Sequence, residues 1–587
     1  MSPPTDTYVL LRAFVDELAR CGMRAACTSP GSRSAPLALS LAREPRLRCF
    51  SHVDERCAGF FALGLAKASG RPVAVTCTSG TAVAELLPAA IEAHEARVPL
   101  LVLSADRPPE LRENGAGQAI DQLKLLGSAA KWFFDVGTHE ATPERLRWIR
   151  TLACRAWSTA LEGRPGVVHL NFALREPLVI DGPLPPDDTG RADQAPYVRR
   201  RRHDARARED YGHEDDAEEL PHEARRGVVI AGRDERLFAG WSPGKAIAEF
   251  AARVGWPLLA DPMSGARTGA AAIAHYDSLL RDPGPAASLR PDLVLRVGDL
   301  PVSKPLRAWL AGLEDVRQIA LDPEGAWQDP SSVLSDSLTI APSTLLSVNF
   351  PAAEEDWLAR WRSRDELAAE AILGVLGDEL SEPRVAAELG VLLPEEATLF
   401  VASSMPVRDI ETFWPVREDP PRVLCNRGAN GIDGVVSSAF GAAAGENGPV
   451  VLLIGDVALA HDVGGLLAAR RLGLKLTIVL LDNGGGGIFD FLPVSTNALA
   501  REQDPGDPAA DVYTRHIATP TGLDFADAAK LYGLGHERVQ DVASFRAALE
   551  RALASERSCI VEARGERAAN VELHRRVSTA VAEALRQ

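Results

Sequence analysis

The sequence predicts an α/β protein of three domains, each a doubly wound, mostly parallel sheet covered by helices. Three observations lead there. The 587 residues exceed what one hydrophobic core organises. Short β-branched runs alternate with helical periods along most of the chain, which is the rhythm of βαβ units. With 46% hydrophobic and 25% charged residues, the composition is that of an ordinary globular protein, not of a fibrous or disordered one.

Taken in order, the opening MSPPTDTYVLLRAFVDELARCG reads as an amphipathic helix of the mature fold, because Arg12, Asp16 and Glu17 would interrupt the apolar region of a secretion signal. Block 1–184 offers RAACTSPG, RCFSHVD, RPVAVTCTSG, PLLVLSADRP and PGVVHLNF as strands, whose carboxyl-end loops are available for chemistry. Residues 185–226 break the rhythm: 21 of these 42 are charged, 12 acidic and 9 basic, with four consecutive arginines from Arg199 to Arg202. Too little apolar surface is available there to order the segment, so a mobile surface linker is expected. Block 227–351 contains GVVIAGR and PDLVLRVGD, and block 352–587 contains PVVLLIGD, LTIVLLDN and SCIVEA. The first and third blocks share length and alternation, a hint of two related domains.

The charge balance, 64 basic against 81 acidic residues for a net −17, speaks against nucleic acid or anionic lipid as the main partner. No stretch approaches the roughly 18 apolar residues of a membrane span. Cysteines at 21, 27, 49, 57, 77, 154, 425 and 559 form neither CxxC pairs nor a dense framework, so reduced thiols and a cytoplasmic location are expected. GVVIAGR is only a partial glycine fingerprint, and no bound NAD or FAD is expected there.

Chemistry concentrates in a few motifs. Gly455-Asp456 ends one strand, KLTIVLL forms the next, and Asp482-Asn483-Gly484-Gly485 closes it. One crossover therefore brings Asp456 and Asn483 to the same sheet edge, where their oxygens and a nearby backbone carbonyl suit Mg²⁺. A lone Gly-Asp is more simply a helix cap, but the spacing together with Asn-Gly-Gly favours a site. Glu55 opens the helical run ERCAGFFALGLAKASG, whose apolar neighbours would raise a carboxyl pKa, although an acid at a helix N-terminus is also ordinary. The loop Ser29-Pro30-Gly31-Ser32-Arg33-Ser34 precedes another helix and can bind anions, but it lacks the Gly-Lys-Ser/Thr ending of an ATPase loop.

Taken together, TSPGSRSAPL (28–37), HVDERCAGFFALGLAKASG (52–70), TSGTAVAELLPA (78–89), LSADRP (103–108), GAGQAIDQ (115–122), CNRGANGIDG (425–434), GD (455–456) and DNGGGGIFDFLP (482–493) resemble thiamine diphosphate (ThDP) decarboxylases and carboligases. Within that superfamily they are most similar to the 2-succinyl-5-enolpyruvyl-6-hydroxy-3-cyclohexene-1-carboxylate synthase (MenD) family of menaquinone biosynthesis.

The resemblance implies the ThDP-binding fold and decarboxylation of 2-oxoglutarate, with addition of the four-carbon unit to isochorismate. It implies that Glu55 is catalytic and holds N1′ of the cofactor's aminopyrimidine. Asp456, Asn483 and the Gly485 carbonyl would bind Mg²⁺ or Mn²⁺. Ile432 would buttress the cofactor, with Ser404, Ile488 and Phe489 beside it. Ser32, Arg33, Arg107, Gln118, Lys304, Arg408, Arg427 and Leu492 match substrate-binding positions, with Ser404 also among those that handle carboxylates. Guanidinium forks suit two dicarboxylate substrates. Gly117 stands where many members have Asn, and Pro305 follows Lys304 where some have Arg. A homodimer or homotetramer is implied, with active sites at subunit interfaces. The rivals are another ThDP enzyme, such as an acetolactate synthase, which needs fewer cations in its cavity, and a non-catalytic nucleotide-binding α/β protein, which needs neither Glu55 nor Asn483.

Overall fold

The computed structural model describes residues 4–185, 193–199, 223–234 and 243–586. Most of the charged 185–226 stretch, including Arg200 to Arg202, lies outside the described residues. Among its described residues, 193–199 rest on the first domain: Arg20 donates to the Asp193 carbonyl, and the Tyr197 and Val198 amides donate to Glu17 and to Cys154 Sγ.

Nineteen strands are present among the described residues. The first six are β1 (Ala25–Thr28), β2 (Arg48–Ser51), β3 (Val73–Cys77), β4 (Leu100–Asp106), β5 (Ala130–Asp135) and β6 (Val167–Ala173), in one sheet of order β2-β1-β3-β4-β6-β5. Every pairing is parallel. β3, β4 and β6 are buried along their whole length and mainly apolar, as buried parallel strands are, with Thr76, Ser104, Asp106, His169 and Asn171 as buried polar exceptions. One of those helices, Pro4–Cys21, buries Tyr8, Leu11, Phe14, Val15 and Leu18 at helical spacing.

A five-stranded sheet follows, β7 (Gly227–Ala231), β8 (Leu258–Ala260), β9 (Leu293–Val297), β10 (Arg317–Leu321) and β11 (Asp336–Leu338), ordered β11-β10-β9-β7-β8. The third sheet contains β12 (Thr398–Val401), β13 (Arg422–Cys425), β14 (Val450–Gly455) and β15 (Thr477–Asp482). A hairpin, β16 (Gln503–Asp504) and β17 (Asp507–Asp511), intervenes before β18 (Gly535–Val539) and β19 (Cys559–Arg564). The sheet order is β13-β12-β14-β15-β19-β18. Setting the hairpin aside, this repeats the order of the first sheet, strand for strand, so the two blocks share one topology.

By density of contacts the chain divides into two compact units. The first comprises residues 1–202 with 426–446 and 462–474, and the second comprises 203–425, 447–461 and 475–587. Within the second unit, the five-stranded sheet and the third sheet share one continuous apolar core that includes Trp256, Trp357, Trp361 and Trp414. Within the first, the helix Glu55–Ser69 packs along Val435–Gly445. That approach requires glycine: a Cβ on Gly64 would lie 1.9 Å from the Ser438 carbonyl oxygen, and one on Gly441 would lie 2.0 Å from that of Phe61.

No helix among the described residues is long and apolar enough to cross a membrane. None of the eight cysteines forms a disulfide among the described residues. Cys21 and Cys154 nevertheless approach to 3.7 Å between sulfurs beside Glu17, a cluster that sequence spacing did not reveal.

Candidate active site

In a doubly wound sheet, the crevice for ligands opens at the carboxyl ends of the strands where the order reverses. In the first sheet that point lies between β1 and β3, which places the 29–34 loop beside 78–80. The two loops touch, since a Cβ on Gly31 would fall 2.3 Å from Thr78 Cβ. Three expected substrate residues gather here. Arg107 donates to Ser79 Oγ and, at 2.7 Å, to the Gly117 carbonyl. Gln118 donates to the Ser79 carbonyl at 3.0 Å and accepts from Ser79 Oγ at 3.0 Å through its own backbone. Arg33 is buried and donates to the Leu174 carbonyl and to the Glu176 carboxylate, at 2.8 and 2.9 Å. Desolvation and the nearby Arg33 charge lower the Arg107 pKa, so the two guanidiniums share one environment.

Ser32 is exposed on the same loop. Gly117 uses its carbonyl, and nothing lies within 4 Å of where a side chain would begin, which accommodates its departure from the family's Asn.

Glu55 is the first residue of its helix, capped by Asp54, whose side chain accepts from the Cys57 amide at 3.1 Å. Its carboxylate is half-buried, and burial raises its pKa, with the charges of Asp54 and Glu85 adding to the shift.

Arg427 and Ile432, both half-buried, lie on the loop that leads into Val435–Gly445. A residue that the sequence reading missed holds this loop. The buried Glu92 accepts the amides of Gly428 and Ala429 at 2.8 and 2.7 Å, with Lys67 Nζ 3.8 Å from its carboxylate. The available signal was an acid, Glu92, flanked by Ile91 and Ala93 within the alanine-rich run PAAIEAHEA.

In the third sheet, the order reverses between β12 and β14. Ser404 follows β12, has φ +75° and caps the helix Met405–Phe413, and its carbonyl accepts from Arg408 Nη1 at 2.5 Å. Asp456 follows β14, and Asn483 and Gly485 follow the adjacent β15. The crossover brings them together as expected: the Gly485 amide donates to Asp456 Oδ2 at 2.8 Å. Gly485 has φ +138°, and a Cβ there would lie 2.6 Å from the Ala518 carbonyl oxygen, so glycine is required.

Burial pushes the Asp456 pKa up to about 6, and the Asp482 charge adds to this against the opposing Val457 and Gly485 amides. Asn483 donates through Nδ2 to Glu382 Oε1 at 2.7 Å, while its Oδ1 is buried without a hydrogen-bond partner. A buried carboxylate with no counter-charge among the described residues, together with an amide oxygen orphaned among them, is a hard-oxygen donor set that fits Mg²⁺ or Mn²⁺ and, through it, a diphosphate.

Ile488 is half-buried, and Phe489 and Leu492 are each 36% exposed on the turn that follows, forming an apolar lip beside this set. Lys304 is exposed at the start of the helix Lys304–Ala311, after β9. Pro305 sits in that helix's first turn, where its missing N–H costs nothing.

Comparison with known proteins agrees with this geometry. The N-terminal TPP-binding domain of thiamine pyrophosphate enzymes matches residues 10–125, the middle domain of thiamine pyrophosphate enzymes matches 191–401, and the C-terminal TPP-binding domain matches 407–563. A 2-succinyl-5-enolpyruvyl-6-hydroxy-3-cyclohexene-1-carboxylate synthase of Geobacillus thermodenitrificans is 44% identical over 98% of this chain and 97% of its own length. The chain belongs to this synthase family. Synthases of the same name from Listeria monocytogenes and Chloroflexus aurantiacus are each 41% identical, covering 98% of this chain and 98% and 96% of their own lengths. The synthase family's three-domain ThDP fold accounts for the three parallel sheets and for the repeated topology of the first and third.

Proposed function

We propose that the protein decarboxylates 2-oxoglutarate with ThDP and adds the resulting four-carbon unit to isochorismate by conjugate (1,4) addition. The product is 2-succinyl-5-enolpyruvyl-6-hydroxy-3-cyclohexene-1-carboxylate, an intermediate of menaquinone biosynthesis. The observation that carries the substrate reading is the pair Arg33 and Arg107 beside Gln118 at the switch point of the first sheet. Arg33 already pairs one carboxylate, that of Glu176. Dianionic substrates meet a protein of net charge −17, so their capture needs such local positive charge.

When bound, ThDP supplies the carbanion chemistry, and the protein supplies placement and proton management. Asp456, Asn483 and the Gly485 carbonyl would hold Mg²⁺ or Mn²⁺ for the diphosphate. Glu55, whose pKa burial raises, would hold and move the proton at N1′ of the aminopyrimidine. Ile432 buttresses the cofactor, Ser404 and Ile488 flank it, and Phe489 and Leu492 exclude water. Ser32, Arg33, Arg107, Gln118, Lys304, Arg408 and Arg427 bind the substrate carboxylates. Glu55 and Asp456 belong to different sheets, and the enzyme works as at least a homodimer in the cytoplasm.

An acetolactate-type carboligase is the alternative. Carbon dioxide release from 2-oxoglutarate and from pyruvate separates the two: the synthase prefers 2-oxoglutarate, and Arg408→Ala or Arg427→Ala lowers kcat/KM for 2-oxoglutarate far more than for pyruvate. A wild-type preference for pyruvate overturns the reading.

A further inference from the structure

We propose that Glu382 is a positioning residue for the divalent-cation site, fixing the Asn483 amide so that its oxygen stays turned toward the cation. The inference rests on the reading of Asn483 as a metal ligand. Glu382 is the first residue of the helix Glu382–Leu392, which Ser381 caps by accepting the Arg384 amide at 3.2 Å. Only 7% of Glu382 is exposed.

Its Oε1 accepts Asn483 Nδ2 at 2.7 Å, and this contact decides which way the amide faces. Rotating the amide by half a turn would remove this donated N–H and turn Oδ1 toward the same carboxyl group, away from the cation side. Glycine at 487 leaves room for the amide, since a Cβ there would lie 2.7 Å from Asn483 Nδ2. With Nδ2 donating to Glu382, Oδ1 is left buried and unpartnered among the described residues. A buried acceptor without a donor is costly to keep in a fold and is explained by a ligand that occupies it.

Asp456 is preset in the same way, because the Gly485 amide fixes its Oδ2. Each side-chain ligand thus has its own backing partner, and loss of such a partner typically weakens metal binding by about 10- to 100-fold.

The test uses the full-length protein stripped of metal, titrated calorimetrically with Mg²⁺ at saturating ThDP, in E382Q, E382M and N483A. Glutamine keeps an acceptor oxygen at nearly equal volume, whereas methionine fills the space without one. The expected result is that E382M weakens Mg²⁺ about 10- to 100-fold, that E382Q stays within about 3-fold of wild type, and that excess Mg²⁺ restores kcat in E382M. A merely structural role would lower the unfolding midpoint of the metal-free protein without moving Mg²⁺ affinity. Should E382M not fold, E382D, which retracts the acceptor by one methylene, is read in its place. Wild-type Mg²⁺ affinity in E382M, or equal losses in E382Q and E382M, overturns the proposal. Wild-type affinity in N483A overturns instead the metal reading on which it rests.

Discussion

The Gly485 amide donates to the Asp456 carboxylate across 2.8 Å, joining the ends of two adjacent parallel strands. The contact fixes the Asp456 carboxylate, a ligand in the proposed cation site, and anchors Gly485, at φ +138°, in the loop that follows β15. Asp456→Ala removes the ligand and its anchor together. Calorimetric titration with ThDP and Mg²⁺ is expected to show at least about a 100-fold loss of cofactor affinity, in line with removal of a charged, hydrogen-bonded ligand. Unchanged affinity would place the metal elsewhere.

Glu55→Gln preserves volume but leaves a group unable to exchange a proton with N1′. Hydrogen–deuterium exchange at C2 of bound ThDP, followed by NMR, is expected to slow by about 100-fold or more, the scale of general acid–base catalysis. The unfolding midpoint should stay near that of wild type. An unaltered exchange rate would remove Glu55 from its role.

Glu92→Ala strips two amides of their acceptor and removes the carboxylate 3.8 Å from the buried Lys67 Nζ. Breaking a buried pair in this way costs about 3–5 kcal/mol, which urea unfolding would register. In Glu92→Gln, one carbonyl oxygen still reaches an amide, so a smaller loss is expected, along with a raised KM for 2-oxoglutarate because Arg427 adjoins Gly428. A variant as stable as wild type would contradict the clamp.

Burial lowers the pKa of His52 to about 4. A histidine whose folded pKa lies below its unfolded value of 6.5 gives stability that is present above pH 6.5 and lost as pH falls toward 4, up to about 3 kcal/mol. The raised carboxyls of Asp456 and Asp462 act in the opposite sense over part of this window, so the readout is a difference between variants. His52 lies against the Phe61 ring at 4.5 Å and its Nε2 has no partner, so phenylalanine fits. His52→Phe is expected to lose less stability than wild type between pH 7 and 5 in urea titrations. Parallel pH curves would contradict the assignment.

Much of this was legible in the chain because buried parallel strands write themselves as apolar runs: β3, β4, β6, β14 and β15 all fall within the runs read from the sequence. The Asp456–Asn483 juxtaposition followed from a single crossover. Several strands were left unread, among them β8, β10, β11 and the β16–β17 hairpin, and four others lie in the sheets of the two domains that carry the site motifs. TLFV of β12 and RVLC of β13 have only four residues each. The edge strands AKWFFD of β5 and GHERV of β18 are only partly buried and carry charged residues, so no continuous apolar run marks them. Glu382 and Glu92 escaped notice for another reason. Each is an unremarkable helix residue until tertiary contact delivers its partner, Asn483 101 positions away and Gly428 336 positions away.

The most direct test of the central claim is a stoichiometric assay of the purified enzyme with ThDP and Mg²⁺, measuring carbon dioxide and coupled product together. With 2-oxoglutarate and isochorismate both present, one carbon dioxide released for each isochorismate consumed, with 2-succinyl-5-enolpyruvyl-6-hydroxy-3-cyclohexene-1-carboxylate as product, is the predicted result. Release of carbon dioxide from 2-oxoglutarate that is indifferent to isochorismate, with no adduct formed, would contradict it.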